Sequence, residues 1–96
     1  MRVVVTSDAR HELREATRWY SARSPATGRQ FIEAYRRARD LAAQAPTQWL
    51  EVEPGVRRVL LERFPYTLFY AVHGGQVVVL AIAHQKRRPR SWSDQG

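Results

Sequence analysis

Cationic side chains cluster near the C-terminal end of the sequence, in a pattern that suits a phosphate or a carboxylate. The cluster contains His84, Lys86, Arg87, Arg88 and Arg90. Ammonium and guanidinium groups stabilise negative charge on oxygen, and a histidine exchanges a proton near neutral pH. Trp92 follows the cluster, and an indole ring can stack on a base. The segment is typical of a surface that binds nucleic acid or an acidic protein, with a solvated tail as the alternative.

Three further arginines lie in the second half of the chain. Arg57 and Arg58 are adjacent in a predicted strand, so they point to opposite faces and only one can line a given surface. Arg63 precedes a Phe-Pro pair that predicts a turn. For Arg57 and Arg58 a structural or solvated role and a binding role are equally expected. His84 closes the last predicted strand. We expect it either to accept a proton near neutral pH or to have an internal partner.

The composition limits the fold and the kinds of partner that these residues can have. The chain has 96 residues, of which 44% are hydrophobic and 26% charged, and this predicts one folded domain over residues 1–96 with a basic tail at about 84–96. The net charge of +7 favours an anionic partner. With no cysteine and no ligand spacing among the three histidines, we expect no metal and no cofactor. No apolar run approaches the ~20 residues that span a bilayer, so a cytoplasmic location without membrane contact is expected.

The hydrophobic pattern predicts where the elements lie. β-branched residues at 3–5 indicate a strand, apolar residues spaced by three and four from residue 9 to 23 indicate a helix, and a second helix runs from Pro25 to Pro46. Strands are predicted at 56–61, 66–72 and 76–83. This order predicts an α+β fold, with two N-terminal helices packed on a small, mixed, mostly antiparallel four-stranded sheet (β-α-α-β-β-β). Residues 68–72 and 77–83 are apolar on both faces, which indicates that a partner chain or the ends of this chain cover the second face.

An ordered set of short segments spans most of the chain. It consists of Ala9-Arg10-His11-Glu12-Leu13-Arg14-Glu15-Ala16, Trp19-Tyr20, Arg23-Ser24-Pro25, Arg57-Arg58, Arg63-Phe64-Pro65-Tyr66, Tyr70 and Val79-Leu80-Ala81-Ile82-Ala83-His84. At this length and in this order, the set resembles the RelE/ParE toxins of bacterial type II toxin–antitoxin systems. The resemblance implies a basic toxin that an acidic antitoxin neutralises, and that meets operator DNA only through the antitoxin.

The resemblance also implies two modes of action. ParE-like members inhibit DNA gyrase, whereas RelE-like members cleave messenger RNA in the ribosome without a metal. For cleavage, the resemblance places Lys86 at the position of a catalytic arginine and Trp92 at that of a tyrosine. The usual basic sheet position falls at Glu62 or Arg63, depending on the turn. An indole does not readily exchange a proton, so the sequence favours a binder of gyrase type over a ribonuclease. Residues expected to contact the target or nucleic acid are Arg57, Arg58, Arg63, His84, Lys86, Arg87 and Arg88. A basic nucleic-acid-binding module without toxicity is the third hypothesis.

Overall fold

Two helices lie on one face of a five-stranded sheet. The computed structural model describes residues 1–86. The elements are β1 (Arg2–Val5), α1 (Ser7–Arg23), α2 (Pro25–Gln44), β2 (Glu51–Glu53), β3 (Val56–Leu60), β4 (Tyr66–His73) and β5 (Gln76–His84). The strand order is β1-β5-β4-β3-β2, with β1 parallel to β5 and the other pairs antiparallel. The predicted α+β class and both predicted helices are confirmed.

The predicted number of strands was too low by one. Pro54-Gly55, which the sequence indicated only as a break, joins β2 to β3 in a hairpin, and Gly55 has a φ of 78°. β2 has three residues, two of them glutamates, and such a segment carries little β-propensity. Its pairing depends on β3, because Glu51 lies opposite Arg57 and the two side chains form an ion pair of 3.3 Å.

Capping side chains set the ends of the helices. The Thr6 hydroxyl accepts a hydrogen bond from the Ala9 amide at the start of α1. Ser24 ends α1 by donating its amide to the Tyr20 carbonyl, and its hydroxyl accepts from the Thr27 amide to start α2. A proline occupies the first position of α2, where its missing N–H costs nothing. The two helices are therefore joined by a single residue and must pack side by side.

Two backbone features fix the register of the central strands. Gly74 and Gly75 have φ values of 58° and 72° and form the tight turn between β4 and β5, as predicted. Phe69 lies opposite Ala81 while Tyr70 lies opposite Val79, so Leu80 is an extra residue in β5. This bulge shifts the alternation of β5, so that Val77, Val79 and Ile82 face the helices while Ala81 lies on the opposite side of the sheet.

Apolar residues are buried on both sides of the sheet. The main core lies between the helices and the sheet, with Phe31, Leu68, Tyr70, Val77 and Val79 among its members. A second, smaller cluster on the opposite side, which we call the outer face, contains Val56, Phe69 and Ala81. The predicted apolar second face is thus present. Within residues 1–86, neither helix has the length and apolar character needed to span a bilayer.

Candidate functional site

One end of the sheet gathers several of the predicted site residues. The start of β4 and the end of β5 are neighbours, because Tyr66 lies opposite His84 and their rings are 5.2 Å apart. Arg63 lies in the loop that enters β4, and Lys86 follows β5. The Gln85 amide donates to the Pro65 carbonyl at 2.7 Å, which ties the two segments together. Topology therefore brings Arg63, His84 and Lys86 to the same end of the molecule.

An aromatic cluster packs against the loop that precedes β4. Tyr20 stacks on Phe31 at 5.1 Å, and Phe64 lies 4.9 Å from Tyr20 and 5.2 Å from Phe31. Tyr66 completes the cluster at 5.1 Å from Phe31. Edge-to-face pairs of this kind add about 0.5–1.5 kcal/mol each beyond the area they bury. Phe64 is thereby fixed between the helices, and its neighbour Arg63 is held in place with it.

Arg63 has an unusual backbone conformation. Its φ is 69°, in the left-handed region that glycine favours, at a cost of about 1–3 kcal/mol for other residues. Backbone bonds from the Leu61 amide to the Tyr66 carbonyl and from the Tyr66 amide to the Phe64 carbonyl hold the turn closed. The Arg63 side chain is exposed and forms no ion pair with any of residues 1–86. The loop thus exposes a strained arginine that has no partner in the described chain.

His84 is engaged at one nitrogen. Its Nδ1 accepts a hydrogen bond from the Lys86 backbone amide at 3.1 Å, so the neutral ring carries its proton on Nε2. Its ring packs edge-to-face with that of Tyr66. In the neutral imidazole, Nδ1 already accepts a hydrogen bond and Nε2 carries the proton. This favours a histidine with an internal partner over one that accepts a proton, which are the two roles that the sequence predicted.

Arg57 and Arg58 point to opposite faces, as predicted. Arg57 lies on the helix side, where it donates to the Trp49 carbonyl at 2.7 Å and pairs with Glu51. Its side chain is 26% exposed, and these contacts occupy much of its guanidinium group. Arg58 lies on the outer face opposite Phe69 and forms no ion pair within residues 1–86. Internal contacts therefore occupy Arg57 but not Arg58 within the described chain, and target binding by either residue stays a prediction.

The remaining predicted residues are at the C-terminal end. Lys86 is exposed at the end of the described chain. Arg87, Arg88 and Trp92 lie outside the described residues, and their roles stay predictions.

Glu12 has a contact that sequence reasoning missed. The helical pattern places it on the solvated side of α1, yet its carboxylate accepts a hydrogen bond from the Ile82 amide at 3.1 Å. Ile82 follows the bulge in β5, beyond the last residue that β1 pairs with. Glu12 thus satisfies a strand amide that has no neighbouring strand. No local signal reveals this contact, because the two residues are 70 positions apart.

A charged groove beside Arg63 was also not predicted. It lies between α2 and the loop before β4, has a volume of about 390 Å³, and is called the α2 groove below. Its lining residues are Ala26, Arg29, Gln30, Glu33, Ala34, Arg37, Glu62, Arg63 and Phe64. Arg37 and Glu62 join its two walls with an ion pair of 2.8 Å. The spacing of residues 29, 33 and 37 places them on one side of α2, and that spacing is the one sequence signal for the groove.

Comparisons with known proteins agree with this fold. Residues 3–89 match the sequence model of a family described as the ParE toxin of type II toxin-antitoxin system, parDE. A solved structure described as the chromosomal ParDE TA system from P. aeruginosa is similar with a TM-score of 0.76, over 88% of this chain and 95% of that chain, at 23% identity. No curated protein matches. The structural similarity shows the fold, and the family match covers nearly the whole sequence. The chain therefore belongs to the ParE toxin family of type II toxin–antitoxin systems.

Proposed function

We propose that this protein inhibits bacterial growth by binding a cellular protein target, and that an acidic antitoxin neutralises it in the cytoplasm. DNA gyrase is the target that the family resemblance implies. The observation that carries the proposal is the division of the sheet cations between two faces. Arg57 is bonded to Trp49 and Glu51 on the helix side, whereas Arg58 lies on the outer face.

Messenger RNA cleavage requires a different arrangement. Attack by a 2′-hydroxyl needs a base for its proton and cations around the same phosphate. His84 uses Nδ1 to accept the Lys86 amide, and Arg57 is turned away from Arg58 by the strand alternation. The arrangement supports a protein that binds its target over a surface more than one that concentrates charge at a single phosphate.

The outer face is the surface we assign to the antitoxin. Val4 and Leu60 are 38% and 49% exposed there, and both lie on the same side of the sheet as the cluster around Phe69. Arg2 and Arg58 add positive charge to this face. An acidic segment with apolar side chains would bury Val4 and Leu60 and place carboxylates near the two arginines. Because burial supplies most of the affinity, we expect antitoxin binding to weaken only modestly with salt.

Induction of the toxin without antitoxin tests the mode of action. We expect growth arrest, induction of the DNA-damage response and no new 5′ ends in messenger RNA. Purified toxin should also inhibit supercoiling by DNA gyrase, and addition of the antitoxin encoded beside it should restore supercoiling. New messenger RNA ends in cells that arrest without a DNA-damage response would refute the proposal.

A ribosome-dependent ribonuclease is the second candidate, because Arg63, His84 and Lys86 lie at the same end of the sheet. Two substitutions separate it from the binder. His84→Gln removes the imidazole, and Lys86→Arg keeps the positive charge while raising the proton affinity of the side chain. A binder retains growth arrest in Lys86→Arg, which keeps the positive charge, and gives no new messenger RNA ends in either variant. A ribonuclease that uses either group for proton transfer loses arrest and messenger RNA cleavage together.

A further inference from the structure

The α2 groove has two walls of different origin. One wall is a side of α2 that carries Arg29 and Arg37, and the other is the loop that carries Glu62 and Arg63. Arg37 and Glu62 are paired across the groove. Arg29 and Arg37 are eight positions apart, or about 12 Å along a helix. The ion pair therefore joins the walls at one end, and Arg29 lies toward the other.

Two guanidinium groups in the groove are without a partner in the part of the chain that the structure describes. Neither Arg29 nor Arg63 forms an ion pair within residues 1–86, although Arg37 does so in the same groove. Both side chains are exposed. Arg63 is also held in a strained backbone conformation, and strain of this kind persists where the surrounding structure imposes it and often marks functional positions. The fold thus places Arg63 on one wall of the groove and Arg29 on the other, both without an ion pair within residues 1–86.

The lining of the groove defines the chemistry of its ligand. Phe64 is half-buried and, with two alanines, supplies an apolar part. Glu33 and Glu62 are paired with Arg36 and Arg37, so the unpaired charge of the groove is that of Arg29 and Arg63. Two separated cations suit a short acidic segment better than a continuous chain of phosphates such as RNA. Arg29 and Arg63 bind carboxylates well. A peptide that carries both carboxylates and an apolar side chain fits this mixed surface.

We propose that the α2 groove binds a short acidic segment of the cellular target protein, with Arg29 and Arg63 contacting its carboxylates and Phe64 contacting an apolar side chain. The inference rests on the proposed function, since it requires a protein target. A volume of about 390 Å³ holds a few side chains, which suits one loop of a large protein. An antitoxin that neutralises tightly needs a larger apolar surface, and the outer face supplies one.

A double substitution tests the groove without disturbing the fold. Arg63→Gly suits the left-handed conformation at this position, and Arg29→Gln keeps a good helix former in α2. The matched control is Arg14→Gln with Arg18→Gln, which removes the same amount of charge from the exposed side of α1. Each protein is induced without antitoxin while growth and messenger RNA 5′ ends are followed, and each is tested for co-purification with the antitoxin. Circular dichroism verifies folding.

We expect the Arg29→Gln, Arg63→Gly variant to lose growth arrest at an inducer level where the wild type and the control both arrest, and to retain antitoxin binding. Continued arrest by this folded variant, without new messenger RNA ends, would overturn the inference and leave the proposed function intact. Loss of antitoxin binding would assign the groove to the antitoxin and also overturn it. New messenger RNA ends with the wild type would instead refute the proposed function.

Discussion

Arg57 and Arg58 are adjacent cations of the same type with different surroundings, so they form an internal control for one another. Arg57 is held on the helix side by the Trp49 carbonyl and Glu51, whereas Arg58 lies on the outer face without an ion pair in the described chain. Substitution of each by methionine removes the charge and the donors and retains an unbranched stem. Arg57→Met should destabilise the fold, and Arg58→Met should not.

The size of the effect follows from the contacts of Arg57. A hydrogen bond from a charged donor contributes about 1.5–3 kcal/mol, and the bond to the Trp49 carbonyl is short, at 2.7 Å. The ion pair with Glu51 adds only a few tenths of a kcal/mol, about 0.5 at most, because the carboxylate is 47% exposed and is screened by solvent. Packing of the methionine stem offsets part of the loss. We therefore expect Arg57→Met to lower the free energy of unfolding by about 2 kcal/mol, or about 10 °C in Tm for a domain of this size.

Urea unfolding followed by tryptophan fluorescence measures this difference. Trp49 reports directly, because its carbonyl accepts from Arg57 and its indole N–H donates to the Leu41 carbonyl at 3.1 Å. Arg58→Met should lie within about 0.5 kcal/mol of the wild type, because the half-buried Arg58 side chain has no hydrogen bond or ion pair within residues 1–86 to lose. Equal unfolding free energies for the two variants would refute a structural role for Arg57. Loss of antitoxin binding in Arg58→Met alone would support the assignment of the outer face.

Three more predictions concern the core. Gly28→Ala should destabilise by about 1 kcal/mol or more, because the new Cβ would collide with the Ser21 Oγ and lie 2.9 Å from the Ser21 Cβ; Ser21→Ala in the same chain removes the Oγ and should recover part of the loss in urea unfolding. Tyr70→Phe should cost about 1–2 kcal/mol in the same assay, because its buried hydroxyl donates to the Pro46 carbonyl at 2.7 Å. Burial raises the pKa of Tyr35 and Tyr70 above the usual value of about 10. Their neutral forms therefore stabilise the fold fully below about pH 10, and this stability is lost as the pH rises through the folded-state pKa. The free energy of unfolding should be lower at about pH 11 than at about pH 8. The difference should be smaller in Tyr70→Phe, which lacks one of the two hydroxyls.

Local patterns predicted the helices well because their ends depend on nearby residues. Ser24 both ends α1 and starts α2, and Pro25 follows it directly, so two adjacent residues determine the boundary between the helices. The turn at Gly74-Gly75 is equally local. β2 is different, because its stability depends on pairing with β3 and not on the residue types of Glu51–Glu53. Strand pairing of this kind has little signal in a short polar segment.

The candidate site could be predicted only in part, because its geometry depends on contacts between distant segments. The alternation of a strand predicted that Arg57 and Arg58 diverge, but the bonds that hold Arg57 come from residues before β3. The location of His84 at the end of β5 was predicted, whereas the contact of its ring with Tyr66 required the register between β4 and β5. Glu12 was misplaced for the same reason, since the β1–β5 pairing ends at Val79 and leaves the Ile82 amide to bond with Glu12, which is a property of the sheet and not of the helix sequence.

Some of the positive charge is paired within the fold and some is not. This difference relates the composition to the two proposed binding surfaces, the outer face and the α2 groove. Several arginines are neutralised within the fold, and the pairs are Arg18–Glu15, Arg36–Glu33, Arg37–Glu62, Arg39–Asp40 and Arg57–Glu51. Arg2 and Arg58 on the outer face and Arg29 and Arg63 at the α2 groove have no ion pair within residues 1–86. A net charge of +7 predicts an acidic partner but cannot locate it. Unpaired charge thus lies on these two surfaces as well as elsewhere, for example at Arg14 of α1, which forms no ion pair within residues 1–86. One toxin therefore has room to contact an antitoxin on the sheet and a target beside α2. If both partners used the same surface, charge removal at Arg29 and Arg63 would weaken both complexes together, and the double variant measures this directly.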